Sequence, residues 1–305
     1  MNFTGGGKQI LCSFTWARGI REELAYLSAF NVFLSITAVL GNILIIVALR
    51  KVSSLHPPTK LLFRCLAITD LCVGLITGPL SVVYSISLAN EQLNLCRYAY
   101  ASFVIVSYTL CSVSLLTMSA VGVDRLLALL LGLRYRQVVT LKRTYFIVAN
   151  FWIMSVAASI SFLRNYHVTL WYGYIVLPLC LVTSIASYTK IFLKLRHHQI
   201  QVQGHAQQEQ PGQINRLNIE RYRKAVSSAL WVQCTLVACY LPYGIVRALF
   251  NYGKSSSSSF LLLGLAISLI YLNSSLNPIL YCWKISEVKQ AVKETIREAI
   301  CCLSS

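Results

Sequence analysis

Charge is scarce in this chain. Only 12% of its 305 residues are Asp, Glu, Lys or Arg, while 56% are hydrophobic. Soluble domains carry about a quarter charged residues, so an ordinary water-soluble domain is excluded. Alternating segments of about ten residues, the mark of a transmembrane β-barrel, are missing. No repeat relates the two halves, which argues against a transporter built from repeated bundles. The five histidines, His56, His167, His197, His198 and His205, are read as loop residues. They form no histidine box with Asp or Glu, and no nucleophile constellation is visible, so an enzyme is not expected. The first 23 residues contain no apolar signal-peptide core, so the first apolar run is expected to act as its own insertion signal.

What the chain does have is long apolar runs. A hydrocarbon core of roughly 30 Å takes about 20 residues of helix to cross. Seven stretches reach that length, near 24–49, 60–88, 98–124, 145–163, 171–193, 225–250 and 259–283. A backbone in lipid must satisfy its own hydrogen bonds, so each is expected to be a helix. The fold class is therefore an all-α membrane protein, a seven-transmembrane helix bundle. The division expected is an N-terminus over 1–23, a membrane domain over 24–283 and a tail over 284–305.

The net charge of +17 invites a nucleic-acid reading, but its distribution speaks for topology. Basic residues gather after span one (Arg50, Lys51, Lys60, Arg64) and span three (Arg125, Arg134, Arg136, Lys142, Arg143). They gather again between spans five and six and after span seven (Lys284, Lys289, Lys293, Arg297). The positive-inside rule then sets the N-terminus outside and the C-terminus in the cytoplasm. No nucleic-acid partner is expected; the bilayer is. Of eleven cysteines, this topology leaves only Cys12 and Cys96 in an oxidising compartment, and a disulfide between them is the one framework bridge available. Asn2-Phe3-Thr4 is an external glycosylation acceptor. The connection between spans four and five, around Arg164 to Leu170, is very short, and the stretch of about 197–223, with its Gln-rich middle, reads as a flexible cytoplasmic loop flanked by extensions of helices five and six.

After Trp283, Ile285, Val288, Val292, Ile296 and Ala299 share one helical face, with Lys289, Lys293 and Arg297 elsewhere. An eighth, amphipathic helix on the inner membrane surface is expected, followed by Cys301 and Cys302 as palmitoylation sites.

A few polar groups stand where lipid should reject them. Asp70 lies mid-span, and a carboxylate at bilayer centre costs about 2.5–3.5 kcal/mol on insertion scales. Asp124 and Arg125 end span three. Pro242 and Pro278 interrupt spans six and seven and free the carbonyls of Ala238 and Ser274, for which Asn273 and Asn277 are the nearby donors.

In order along the chain, these residues resemble the rhodopsin-like (class A) G-protein-coupled receptors. The resemblance covers about residues 24–300. It rests on Gly41-Asn42, Leu66-Ala67-x-x-Asp70, Asp124-Arg125-Leu126, Trp152, Pro178, Tyr188, Cys239-x-x-Pro242 and Asn277-Pro278-x-x-Tyr281. It implies a receptor passing an extracellular ligand signal to a heterotrimeric G protein, with arrestin as a further partner. Asp124, Arg125, Tyr188, Tyr240, Pro242, Asn277, Pro278 and Tyr281 would form the activation switch, opened by outward movement of helix six. Asp70, Ser114, Asn273 and Asn277 match the family's allosteric sodium site; no other cofactor is implied. The family pattern points Ser107, Tyr108, Cys111, Tyr240, Arg247 and Tyr271 at the ligand pocket.

Departures from the pattern sharpen the reading. Tyr240 replaces the toggle tryptophan, Leu126 ends the arginine motif, and Tyr222 stands where a helix-six glutamate often latches the arginine, with Glu220 two residues early. The loop before span five has no cysteine. That missing bridge and the short loop resemble the melanocortin, cannabinoid and lysophospholipid branch, and within the family the chain is placed near the melanocortin/adenosine/cannabinoid cluster. Ser107 stands where aminergic receptors carry Asp, and Tyr271 where opsins carry the retinal lysine. A monoamine receptor and a photoreceptor are therefore set aside, and Arg247, with Arg164, His167 and Lys254 around the mouth, favours a peptide or a small anionic or lipid ligand. The alternatives are a receptor-like decoy or scaffold with little signalling, and a small-solute transporter.

Overall fold

The computed structural model describes residues 12, 19–53, 55–206, 234–249, 256–284 and 286–303. Asn2, Glu220, Tyr222, Lys254 and most of the Gln-rich segment lie outside them, as does the side chain of Cys302. Regular structure among the described residues is helical throughout. We label α1 Arg21–Lys51, α2 Pro57–Ala89, α3 Leu93–Leu131, α4 Leu141–Ile160, α5 Tyr166–Ala206, α6 Cys234–Leu249, α7 Ser257–Lys284 and α8 Ser286–Leu303. Six of these are long and apolar enough to cross a membrane, and α6 is a shorter apolar helix over its described part.

Local chemistry sets the helix ends. α1 opens with Glu22 and Glu23 and closes with Arg50 and Lys51, each opposing the end charge of the helix dipole. α2 starts at Pro57-Pro58, where the missing N–H groups have no intrahelical partner to lose. Midway, α2 widens into a π turn over Val73–Thr77, with the Gly78 amide reaching back to the Val73 carbonyl. Pro79 follows at once and has no amide to hold the ordinary ladder. Gly74 and Gly78 are one turn apart and let α1 approach: a Cβ on Gly74 would sit 2.7 Å from the Ser35 carbonyl oxygen. That is the small-xxx-small packing of membrane helices.

α3 is the central post, touching α2, α4 and α5, while α1 packs on α2, α7 and α8. The usual burial pattern of a soluble protein is inverted. Asn42, Asp70, Ser114, Asn273 and Asn277 are buried, whereas Phe33, Ile36, Leu40, Trp171 and Ile175 face outward. An apolar outside with a polar interior fits a bundle solvated by hydrocarbon.

The expected eighth helix is present. Val288, Ala291 and Val292 are buried on the side facing α1, and Lys51 binds Glu298 at 2.5 Å across that junction. Ile296 is exposed, as are Lys289, Lys293 and Arg297; Ile285 and the side chain of Ala299 lie outside the described residues.

α5 corrects two expectations. It begins at Tyr166, so the connection to α4 is shorter than Arg164 to Leu170. Asn165 is the cause: its Oδ1 accepts the His167 amide at 3.0 Å, an N-cap bond that starts the helix. His167, His197, His198 and His205 are therefore helical rather than in loops. The run after Lys194 continues α5 because Leu, Arg and Gln are good helix formers and no glycine intervenes before Gly204.

Candidate functional site

Three polar constellations line the inside of the bundle. The middle one surrounds Asp70, which is buried. Its Oδ1 accepts Ser114 Oγ at 3.0 Å and Ser274 Oγ at 2.8 Å, and its Oδ2 accepts Asn277 Nδ2 at 2.7 Å. α2, α3 and α7 are thus tied at one carboxylate. Asn273 is close by but does not reach Asp70: its Nδ2 donates to Met118 Sδ at 3.3 Å. The Oδ1 atoms of Asn273 and Asn277 are buried without a hydrogen-bond partner. Buried acceptors left unpaired beside a carboxylate fit a hard cation, which takes oxygen ligands.

The carbonyl freed by Pro278 finds a partner other than the one expected. Asn42 Nδ2, on α1, donates to Ser274 O at 3.1 Å and to Ala38 O at 2.8 Å; the amides of Asn273 and Asn277 are engaged elsewhere. Gly41 makes this possible, because a Cβ there would lie 2.9 Å from the Pro278 ring. The adjacent Gly41-Asn42 pair therefore does two jobs, one admitting the proline and one satisfying the carbonyl it exposes.

The second constellation sits at the end of the bundle where α3 finishes. Asp124 is buried and is not a plain solvated partner of Arg125. Tyr135 Oη donates to its Oδ1 at 2.6 Å, while Thr59 Oγ1 and Arg125 Nη2 donate to its Oδ2 at 2.9 and 2.8 Å. Arg125 Nη2 also reaches Thr59 Oγ1 at 2.7 Å. Thr59 comes from the first turn of α2, and Tyr135 from the short helical turn Tyr135–Val138 after α3. Of the other residues expected in the activation switch, Asn277 belongs to the Asp70 cluster and Tyr240 to the cavity at the opposite end, while Tyr188 and Tyr281 stand apart from the clamp. Tyr188 packs its ring over Gly122, where an added Cβ would come within 3.1 Å. Tyr281 lies edge-on to Phe63 at 4.9 Å, its hydroxyl buried without a partner.

The third constellation, at the opposite end, is a cavity of about 190 Å³. All six residues expected there, Ser107, Tyr108, Cys111, Tyr240, Arg247 and Tyr271, line it. Tyr240, Tyr243, Gly244 and Arg247 recur at the three-to-four spacing of one α6 face. Tyr243 Oη donates to Tyr108 Oη at 3.2 Å, and Tyr240 Oη to the Cys111 carbonyl at 3.4 Å. Arg247 is buried; its guanidinium donates from Nη2 to Tyr166 Oη and lies 5.6 Å from that ring's centroid. Arg164 and His167, expected beside it, are exposed and do not line the cavity.

Cys12 and Cys96 form a disulfide that ties residue 12 to the first turn of α3. Cys301 is exposed on α8. Thr59 and Tyr166 were not singled out from the sequence, and Asn42, Ser274 and Tyr135 were not expected in these contacts; Ser274 was named only for its carbonyl. Only Ser274 carried a readable signal, lying one turn before Pro278 on α7 and next to Asn273.

The model of the seven-transmembrane receptor family, rhodopsin type, matches residues 41–169 and 162–281. Adenosine receptor A2a of Canis lupus familiaris is 26% identical over 88% of this chain and 71% of its own length. Adenosine receptor A2b of Gallus gallus is 24% identical over 89% and 88%, and adenosine receptor A3 of Ovis aries 23% identical over 90% of each. These relatives are receptors and not enzymes, and they place the chain near the adenosine part of the cluster expected from the sequence. The chain belongs to the rhodopsin family of G-protein-coupled receptors, as a multi-pass protein of the plasma membrane.

Proposed function

We propose that this receptor takes its ligand in the cavity around Arg247 and passes the signal to a heterotrimeric G protein through Arg125, by outward movement of α6. The topology set by the basic clusters puts the Arg247 end and residues 1–23 outside, and the Arg125 end and residues 284–305 in the cytoplasm. Residues 24–283 form the receptor domain between them. The observation that carries the reading is the Asp124 clamp, which holds Arg125 against α2 and the turn after α3. Held there, Arg125 is not free to receive a partner. Release of Arg125 toward Tyr188, and inward rotation of the unpartnered Tyr281 hydroxyl, would assemble the partner's docking surface. Pro242 and Pro278, each within a helix, supply the bends about which α6 and α7 move, and Asn277 links α7 to Asp70. Because Tyr222 replaces the latching glutamate, the clamp to Thr59 and Tyr135 does the restraining in place of an α6 latch. The agonist and the G protein both favour the open state, so each strengthens the other's binding.

Asp70, Ser114, Asn273 and Asn277, joined by Ser274, would hold a sodium ion. A bound cation supplies positive charge opposite the buried carboxylate. Arrestin is the second cytoplasmic partner proposed, Cys301 and Cys302 the palmitoylated tail cysteines, and Asn2 the glycosylated residue. A peptide or a small anionic or lipid ligand is favoured over a monoamine, since Ser107 gives an ammonium no carboxylate. The adenosine receptors among its relatives make a neutral nucleoside the second reading. A signalling-poor decoy is the alternative left by Tyr240 and Leu126.

Nucleotide exchange on purified G proteins, driven by membranes carrying wild type or Arg125→Ala, tests the reading. Exchange above background with wild type and its loss with the variant is the expected result. Equal exchange by both would remove Arg125 from the mechanism.

A further inference from the structure

The cavity holds a cation with nothing to neutralise it. Arg247 is 7% exposed, its Nε has no hydrogen-bond partner, and its Nη2 donates to a neutral phenol, Tyr166. Among the described residues no Asp or Glu lines the cavity, and the salt bridges are Lys51–Glu298 and Arg125–Asp124. Acids are scarce in the rest of the sequence at this end too. Residues 1–18 and 250–255 contain no acid, which leaves Glu22, Glu23 and Glu91 as the acids at this end. A buried charge without a counter-ion is costly, and a chain this poor in charge has placed one in the wall of a pocket.

The surroundings specify what completes it. Tyr100, Tyr108, Tyr166 and Tyr243 bring phenols to the Arg247 side, while Phe103, Val104, Ile267 and Ile270 line the rest. Guanidinium is a planar fork that fits a carboxylate through two parallel bonds, and phenols can donate further bonds to the same oxygens. Among the described residues, Arg247 is the one Lys or Arg that lines the cavity. One positive charge neutralises one negative charge; a dianion such as a phosphate monoester would leave a surplus charge buried.

We propose that the ligand is a small amphipathic monocarboxylate, its carboxylate paired with Arg247 and its apolar body lying toward α3 and α7. This deepens the receptor reading above and rests on it. The external Arg97 and Arg164, both exposed, add long-range attraction for such an anion.

Thermal denaturation of the detergent-purified full chain reads binding apart from signalling. The probes are decanoic acid and 4-phenylbutyric acid, their primary amides, and decyl phosphate. At saturating probe the acids raise the melting temperature of wild type, while the amides and the phosphate raise it less. Arg247→Gln abolishes the rise, and Arg247→Lys keeps part of it, with apparent affinity weakened roughly tenfold or more. Without probe, Arg247→Gln melts at or above wild type because it removes an unpaired charge, whereas a purely structural arginine would melt lower on removal. Amides acting as well as acids, an unchanged response in Arg247→Gln, a stronger response to the phosphate, or no response to either acid would each overturn the proposal. Nucleotide exchange on the same samples separates the two readings. Acid-dependent melting without exchange would overturn signalling and leave the anion site, and exchange without acid-dependent melting would do the reverse.

Discussion

The two ends of the bundle treat buried charge in opposite ways. At the Arg125 end the buried carboxylate and the arginine beside it answer each other: Asp124 receives Tyr135, Thr59 and Arg125, and the arginine is held through Nη2 by Asp124 and Thr59, its Nε left without a partner. At the Arg247 end a guanidinium is buried against phenols with no carboxylate in reach. A satisfied network is a lock, because opening it exposes groups that were paired. An unsatisfied one is open to completion from outside, which is the ligand site proposed. The Asp70 cluster lies between and shares both characters, with a fully bonded carboxylate next to two orphan amide oxygens.

Breaking the coupling residue has the largest expected effect. Arg125→Ala should reduce agonist-driven nucleotide exchange by roughly a hundredfold, to background, because the partner loses a charge-assisted contact at the centre of its docking surface. Retained exchange would show that the inner end does not act through this arginine.

Loosening the lock should work in the other direction. Tyr135→Phe deletes one hydrogen bond to a buried carboxylate, a contribution of about 1.5–3 kcal/mol, and should raise ligand-free exchange by roughly tenfold or more. Unchanged basal exchange in this variant would reduce the Asp124 clamp to a packing detail.

The middle cluster is probed by Asp70→Asn. Millimolar sodium should lower basal exchange in wild type and have no effect in the variant, which keeps the shape but loses the carboxylate. A sodium effect that survives would place the ion elsewhere.

Asn42→Ala tests the scaffold alone. It leaves the Ser274 carbonyl buried and unpaired, at about 1–3 kcal/mol, and should lower the melting temperature while sparing ligand selectivity. A variant with unchanged melting would mean that another group takes up that carbonyl.

Much of this was legible in the chain because the signals are local. Apolar length marks the spans, proline marks the broken ladders, and a three-to-four spacing puts Tyr240, Tyr243 and Arg247 on one face of α6. The site residues expected from the family pattern were brought together in the cavity and around Asp70, although Asn273 turns to Met118 where Ser274 takes the carboxylate. What escaped the sequence is contact between distant elements. Nothing near Asn42 says that Ser274 is its acceptor, since the pairing exists only once Gly41 has let α7 approach α1. Thr59 and Tyr135 are an ordinary threonine and tyrosine until α2 and the turn after α3 close around Asp124. The early start of α5 was hidden for a different reason: a single capping bond at Asn165 decides it, inside a stretch whose composition reads as loop.

In the proposed mechanism the inner end is closed while Asp124 holds Arg125, and opens through α6 when the G protein binds. Cys234 is exposed at the inner end of the described part of α6, and Tyr145 is exposed near the start of α4. With Cys301 and Cys302 replaced by Ser and Tyr145→Cys introduced, pulsed electron paramagnetic resonance reads the distance between spin labels at Cys234 and position 145. Nucleotide-free G protein should lengthen that distance in wild type and fail to do so in Arg125→Ala. A distance that stays fixed while the receptor catalyses exchange would contradict the account.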